Sequence, residues 1–220
     1  MAEELQQTYG FETRLVPNPT SEQIFSVLME YAKKNPPLGP SDQLFVFVAG
    51  HGDFIESTKE GFLVGRNSLR AKDDPGHATY VPHSRLQVIL SNLSAGHVLL
   101  VMDSCFSGTF DRRITHRGSR GEEDPYATAS LPEFVDRMMK YPTRFYLTSG
   151  GKEHVPDGRP NEHSPFAQQL LLALRNNGGP RGYLTMSRLI EYFERMQPEP
   201  MYGEFQGNKP RGDFIFVPTR

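Results

Sequence analysis

Two segments of the chain carry residues that could do covalent chemistry together. Leu44-Phe-Val-Phe-Val-Ala49 is a continuous apolar run, which reads as a buried strand, and Gly50-His51-Gly52-Asp53 follows it. His97-Val-Leu-Leu-Val-Met102 is a second such run, followed by Asp103-Ser104-Cys105-Phe106-Ser107-Gly108. In open α/β sheets, sites form just beyond the carboxyl ends of the strands. If the two strands are parallel neighbours, His51 and Cys105, 54 residues apart, stand side by side on one edge. A thiolate can then attack a carbonyl while the imidazole takes or shares its proton. Gly52 lets the backbone approach a substrate, and the amides of Gly52 and Cys105 together would form an oxyanion hole. Either residue alone has an ordinary explanation, packing for the cysteine and a solvated loop for the histidine. Their matched positions after two apolar runs favour chemistry.

Composition narrows the class. Cys105 is the single cysteine of 220 residues, which excludes an internal disulfide framework and any zinc site built from several cysteines. Lys+Arg 24 against Asp+Glu 26 leaves no global field favouring nucleic acid or an anionic membrane. The N-terminus lacks the apolar core of a signal peptide, and no run of 18 apolar residues occurs, so the expected location is intracellular and cytoplasmic. The length is that of one domain, read as residues 1–220.

The elements that must position the pair follow from periodicity. Thr20-Ser-Glu-Gln23 has the capping-box pattern, and Ile24, Val27, Leu28 and Tyr31 then fall on one helical face, with a stop expected near Asn35. Gly61 to Gly65 is a weaker strand candidate, and residues 83–94 read as a helix. A polar stretch over about 107–130 precedes a helix near 132–141 and a strand at Arg144-Phe-Tyr-Leu-Thr148. Ser164-Pro165 reads as an N-cap with proline at the first helical position, opening a helix that buries Phe166, Leu170, Leu171 and Leu174 and stops at Gly178-Gly179. A last helix is expected over 185–197 and a last strand over Asp213 to Val217. Buried strands alternating with amphipathic helices predict an α/β fold with a largely parallel sheet.

Phe45-Val-Phe-Val-Ala-Gly-His51-Gly52 and Val101-Met-Asp-Ser-Cys105-Phe-Ser-Gly108 resemble the two signature segments of the caspase-like cysteine peptidases, in particular the metacaspase, paracaspase and bacterial caspase-like branch. Tyr146 to Glu153 resembles that family's next strand and loop, and His163 to Leu172 the helix that follows. The resemblance covers roughly residues 1–195. It implies a three-layer α-β-α sandwich, with His51 as general base, Cys105 as nucleophile, and the amides of Gly52 and Cys105 as oxyanion donors. Asp103, two residues before the cysteine, would pair with a cationic P1 side chain, because a buried carboxylate seeks Arg or Lys. Glu153 sits where paracaspases place a further pocket acid. An enzyme that cuts after arginine would also find Arg112, Arg113, Arg117 and Arg120 in its own loop, which suggests autoprocessing. The partners implied are proteins or peptides with basic P1, with no nucleic acid and no membrane, and a monomer is favoured. No cofactor is required by the dyad. Some metacaspases need calcium, so calcium is left open; no EF-hand pattern occurs and no metal ligands are assigned.

The chain departs from the family at its start. Ala2 to Phe11 resembles the end of the family's first helix, so the first strand is expected to be missing and the domain N-terminally incomplete. In the family that strand lies between the strand expected around Glu12 to Val16 and the His-bearing strand, so its loss would leave two unpaired edges. This favours an alternative: an inactive or incomplete caspase-like module acting through protein–protein contact. A hydrolase of another class on the same dyad, such as an amidase or acyltransferase, is a third reading. His77, His83, His97, His116, His154 and His163 show no metal-site spacing and read as incidental.

Overall fold

The computed structural model describes residues 1–105, 110, 130–151, 162–176 and 181–219. The central sheet holds β1 (Gln43–Ala49), β5 (His97–Asp103), β6 (Thr143–Thr148) and β7 (Met201–Glu204), in the order β1-β5-β6-β7. The first three are parallel, and β7 runs antiparallel to β6. A small antiparallel sheet, β2 (Gly52–Ile55), β3 (Glu60–Leu63) and β4 (Val81–Pro82), follows directly from the end of β1.

Layering follows from the period-two alternation of strand side chains. Leu99 and Val101 of β5, with Phe145 and Leu147 of β6, pack against α1 (Ala2–Tyr9), α5 (Pro165–Arg175), α6 (Met186–Glu191) and the C-terminal Phe214 and Phe216. Val98, Leu100 and Met102 of β5, with Tyr146 of β6, pack on the other face against α2 (Ser21–Ala32) and α3 (His83–Ser91). The remaining helix, α4 (Leu131–Met138), leads into β6. Every residue of β5 is buried, as expected of an interior strand with both faces covered. The result is the three-layer α-β-α sandwich expected from the sequence. Among the described residues no helix is long and apolar enough to cross a membrane.

Local chemistry sets the ends of these elements. The capping box at Thr20 forms: its hydroxyl accepts from the Gln23 amide, and the Gln23 side chain accepts from the Thr20 amide. Ser164 caps α5 by accepting from the Ala167 amide at 3.0 Å, with Pro165 at the first helical position. The strand β5 is anchored at its start by Arg144, a buried side chain of β6. Its guanidinium donates to the carbonyls of Leu93, Ala95, Gly96 and Thr143 at 2.8–2.9 Å, tying down the turn that leads from α3 into β5. Burial lowers the Arg144 pKa. Buried His97 is held in the same region, with Nδ1 2.9 Å from the Thr143 hydroxyl and Nε2 3.2 Å from the Met139 carbonyl.

Several expectations are corrected. Residues 12–16 form no strand: Leu15 is 80% exposed and Arg14 reaches across to Glu30. A run with its largest apolar side chain in water has nothing to pack a sheet face against. The stretch 213–217 is not a strand of the sheet either. It buries Phe214, Ile215 and Phe216 but makes a single antiparallel bridge, Phe216 to Leu184. The α2 helix ends at Ala32 rather than near Asn35, α3 at Ser91, and α6 stops at Glu191, with turns beyond it. The strands β2, β4 and β7 have no counterpart among the expected elements.

With residues 12–16 out of the sheet, β1 is the described strand left facing the expected gap. Among the described residues β1 pairs on one side only, with β5. At its start the Gln43 side-chain amide stands in for a ladder partner. Its Nε2 donates to the Ile215 carbonyl at 2.9 Å, and its Oε1 accepts from the Ile215 amide at 3.0 Å. Phe45 meets Phe216 edge-on at 5.8 Å, and Tyr9 meets the same ring at 5.5 Å. The C-terminal segment thus covers one face of β1 without pairing along it.

Candidate active site

The β1–β5 ladder runs from Gln43 opposite His97 to Ala49 opposite Asp103, a constant offset of 54 residues. The offset equals the separation of His51 from Cys105. Gly50 continues the ladder one step by donating to the Asp103 carbonyl at 3.2 Å. His51 and Cys105 follow these two adjacent strands, and both line one cavity of about 400 Å³. Asp103, Glu162, His163 and Ser164 border the same cavity.

His51 is held by its backbone, since its carbonyl accepts from the Val64 amide at 3.0 Å. Hydrogen-bonded pairs alternate with non-bonded pairs along an antiparallel ladder. Because His51 and Val64 are bonded, the next pair, Gly52 with Leu63, is a non-bonded one, so the Gly52 N–H is not engaged by this ladder. Gly52 also passes very close to the nucleophile's backbone. A Cβ placed there would lie 2.0 Å from the Cys105 carbonyl oxygen, so only glycine fits.

The next residue, Asp53, locks the small sheet in place. One carboxylate oxygen accepts from the Phe54 amide at 2.7 Å, and the other lies 2.9 Å from Nε2 of His77. The His77 ring is buried, packs 4.9 Å from Phe62 and 4.3 Å from Tyr80, and sits on a backbone with φ of 54°. Its turn is organised by Asp74, whose carboxylate accepts from the amides of Ala78 and Thr79 and from the Thr79 hydroxyl. The Thr79 hydroxyl and backbone bonds hold the Asp74 carboxyl below the usual carboxylate range. His77, read as incidental, therefore braces the strand that starts at Gly52.

Cys105 is half-buried at the cavity wall, directly after the fully buried Ser104, whose carbonyl receives the Ser149 hydroxyl at 3.4 Å. Asp103 is 9% exposed, and Ser164 Oγ donates to its Oδ2. His163 and Glu162 reach the cavity because α5 packs with its N-terminus over the end of β5. Sequence reasoning missed both, and the signal that could have found them is their place just ahead of the Ser164-Pro165 cap. Glu153 and the arginines at 112, 113, 117 and 120 lie outside the described residues, as do His116 and His154. His83 is buried and its pKa is lowered to about 3, while burial lowers the pKa of His97 too. Among the described residues no group of three or more His, Cys, Asp or Glu side chains is arranged to hold a metal ion.

The caspase-domain family model matches residues 1–197 of the chain. The chain belongs to the caspase-domain family of cysteine peptidases. The match takes in β1, β5 and β6 with the segments that carry His51 and Cys105. It agrees with the mostly parallel sheet flanked by helices on both faces. No curated protein matches the chain significantly.

Proposed function

We propose that this caspase-domain protein is a cysteine endopeptidase that cleaves after arginine or lysine. The observation that carries the reading is the shared cavity: His51, Cys105 and Asp103 border one space at the carboxyl ends of two paired strands. In the proposed cycle the Cys105 thiol gives its proton to His51, and the thiolate so formed adds to the scissile carbonyl. The oxyanion is met by the amides of Gly52 and Cys105. Collapse expels the amine, which takes the proton from His51, and leaves an acyl-enzyme on Sγ. Water, deprotonated by His51, then releases the acid and restores the thiol. Asp103 offers the carboxylate for the cationic P1 side chain, and Glu153 is proposed as a further acid of that pocket.

The proposal extends to regulation. Arg112, Arg113, Arg117 and Arg120 are candidate sites of autoprocessing. Calcium dependence is to be assayed rather than assigned to ligands. We read residues 1–220 as one peptidase domain, monomeric, acting in the cytoplasm on protein or peptide substrates.

The test compares Arg-, Lys- and Asp-P1 fluorogenic peptides, with and without calcium, on the wild type, Cys105→Ala and His51→Ala. Cleavage after Arg or Lys that disappears in both variants is expected. Turnover surviving in Cys105→Ala would refute the mechanism, and preference for Asp would refute the pocket. Intact mass after incubation should show cuts in the 107–130 segment for the wild type alone.

A second reading has its own observation. The strand β1 pairs on one side only among the described residues, which suits an interaction module that binds without turnover. Peptide binding at full strength in a wild type that never cleaves would favour it.

A further inference from the structure

We propose that Ser164 is a positioning residue for substrate recognition, fixing Asp103 as a hydrogen-bond acceptor toward the P1 cation. The inference rests on the Arg/Lys reading above and names the device that makes Asp103 selective.

A serine hydroxyl has one proton and two lone pairs. At Ser164 one lone pair is committed to the helix, since Oγ accepts from the Ala167 amide at 3.0 Å as the N-cap of α5. The proton is therefore free to point away from the helix, and it points to Oδ2 of Asp103. Asp103 is nearly buried, at 9% exposure. A carboxylate in such a place needs donors or it takes up a proton. The hydroxyl supplies one donor to the ionised form. The N-terminal end of α5, an eleven-residue helix, adds favourable potential for a negative charge close to its first turn. Ser164 and Asp103 both border the cavity that holds His51 and Cys105. The same side chain thus closes the helix and orients the Asp103 carboxylate at the cavity wall.

The coupling explains a feature of the sequence that helix capping alone does not. Asn, Asp, Ser, Thr and Gly all serve as N-caps. Only a hydroxyl can accept from the helix and donate to a neighbouring carboxylate through one atom. Threonine in place of Ser164 would preserve both bonds, whereas glycine preserves the helix and deletes the donor.

The experiment uses the full chain with matched peptides carrying arginine or its neutral isostere citrulline at P1. Wild type, Ser164→Gly and Ser164→Thr are compared for kcat, KM and thermal midpoint. Ser164→Gly is expected to lower the arginine-over-citrulline ratio of kcat/KM by about tenfold, the size of one charge-assisted hydrogen bond. The change should fall mainly on KM for the arginine peptide, with the thermal midpoint nearly unchanged, and Ser164→Thr should restore the ratio. An unchanged ratio in Ser164→Gly, with a wild type that does prefer arginine, overturns the role of Ser164 alone. A loss in Ser164→Gly that hits both peptides equally also overturns it, since that is a structural effect. A wild type that does not distinguish arginine from citrulline overturns the pocket reading, and this proposal with it.

Discussion

Gly52 and Cys105 touch through their backbones. A side chain on Gly52 would begin 2.0 Å from the Cys105 carbonyl oxygen and 3.3 Å from that of Phe62. The loop that follows the His-bearing strand and the loop that carries the nucleophile are thus packed as one unit. The small sheet that starts at Gly52, braced by Asp53 and His77, holds the arrangement from outside.

The contact makes a specific prediction for Gly52→Ala. The new methyl cannot be accommodated without moving one loop by an ångström or more, and a displacement of that size costs about a hundredfold in rate. We expect kcat/KM to fall by about that factor, through kcat, while alkylation of Cys105 by iodoacetamide still proceeds. Wild-type turnover in Gly52→Ala would show that the loops do not act as a unit.

A second prediction concerns Arg144, buried in β6 with four carbonyl acceptors. Arg144→Met removes every donor at once and leaves the turn before β5 unsatisfied. The expected loss is about 3 kcal/mol or more, read from urea unfolding. Arg144→Lys should recover only part of it, because an ammonium has three donors and no planar fork. A loss under about 1 kcal/mol would mean that water replaces the guanidinium at those carbonyls.

His83 predicts how stability depends on pH. Burial lowers its pKa from 6.5 to about 3, so between those values the unfolded chain binds a proton that the folded chain refuses. Its contribution is fully present above pH 6.5 and is lost as pH falls toward 3. The slope for one such group is about 1.4 kcal/mol per pH unit. His97, also lowered by burial, adds in the same direction. Denaturation curves of wild type and His83→Phe from pH 7.5 to 4 should diverge, with the variant losing less. Parallel curves would place the acid sensitivity elsewhere.

How much of this was legible in the sequence depends on whether a signal is local. The strands β1 and β5 are built on continuous apolar runs, β6 on the shorter run Phe145 to Leu147, and the 54-residue spacing of His51 and Cys105 is the register of β1 on β5. The caps at Thr20 and Ser164 are local hydrogen bonds, and both form as the residue types dictate. What failed needed a partner to be known. Residues 213–217 are as apolar as a strand, yet their backbone meets Met138, Leu184 and the Gln43 side chain rather than the edge of a neighbouring strand. Met201 to Glu204, with a glycine and a glutamate, do pair, because β6 offers an edge. Glu162, His163 and the brace at His77 were invisible because tertiary packing brings them to the site.

The Gln43 clamp gives the last prediction. Its side-chain amide makes two bonds to the backbone of Ile215, doing for the C-terminal segment what a neighbouring strand would do. Gln43→Ala leaves the buried Ile215 amide and carbonyl without those partners, at a cost of about 1–3 kcal/mol. The effect should be local. Hydrogen exchange at the Ile215 amide should accelerate strongly, and Phe216, bridged to Leu184, should accelerate less. The β5 amides, paired on both sides, should keep their protection. Uniform acceleration across β5 and Ile215 would mean that the segment unfolds only with the whole sheet, and that Gln43 contributes to global stability rather than holding one edge.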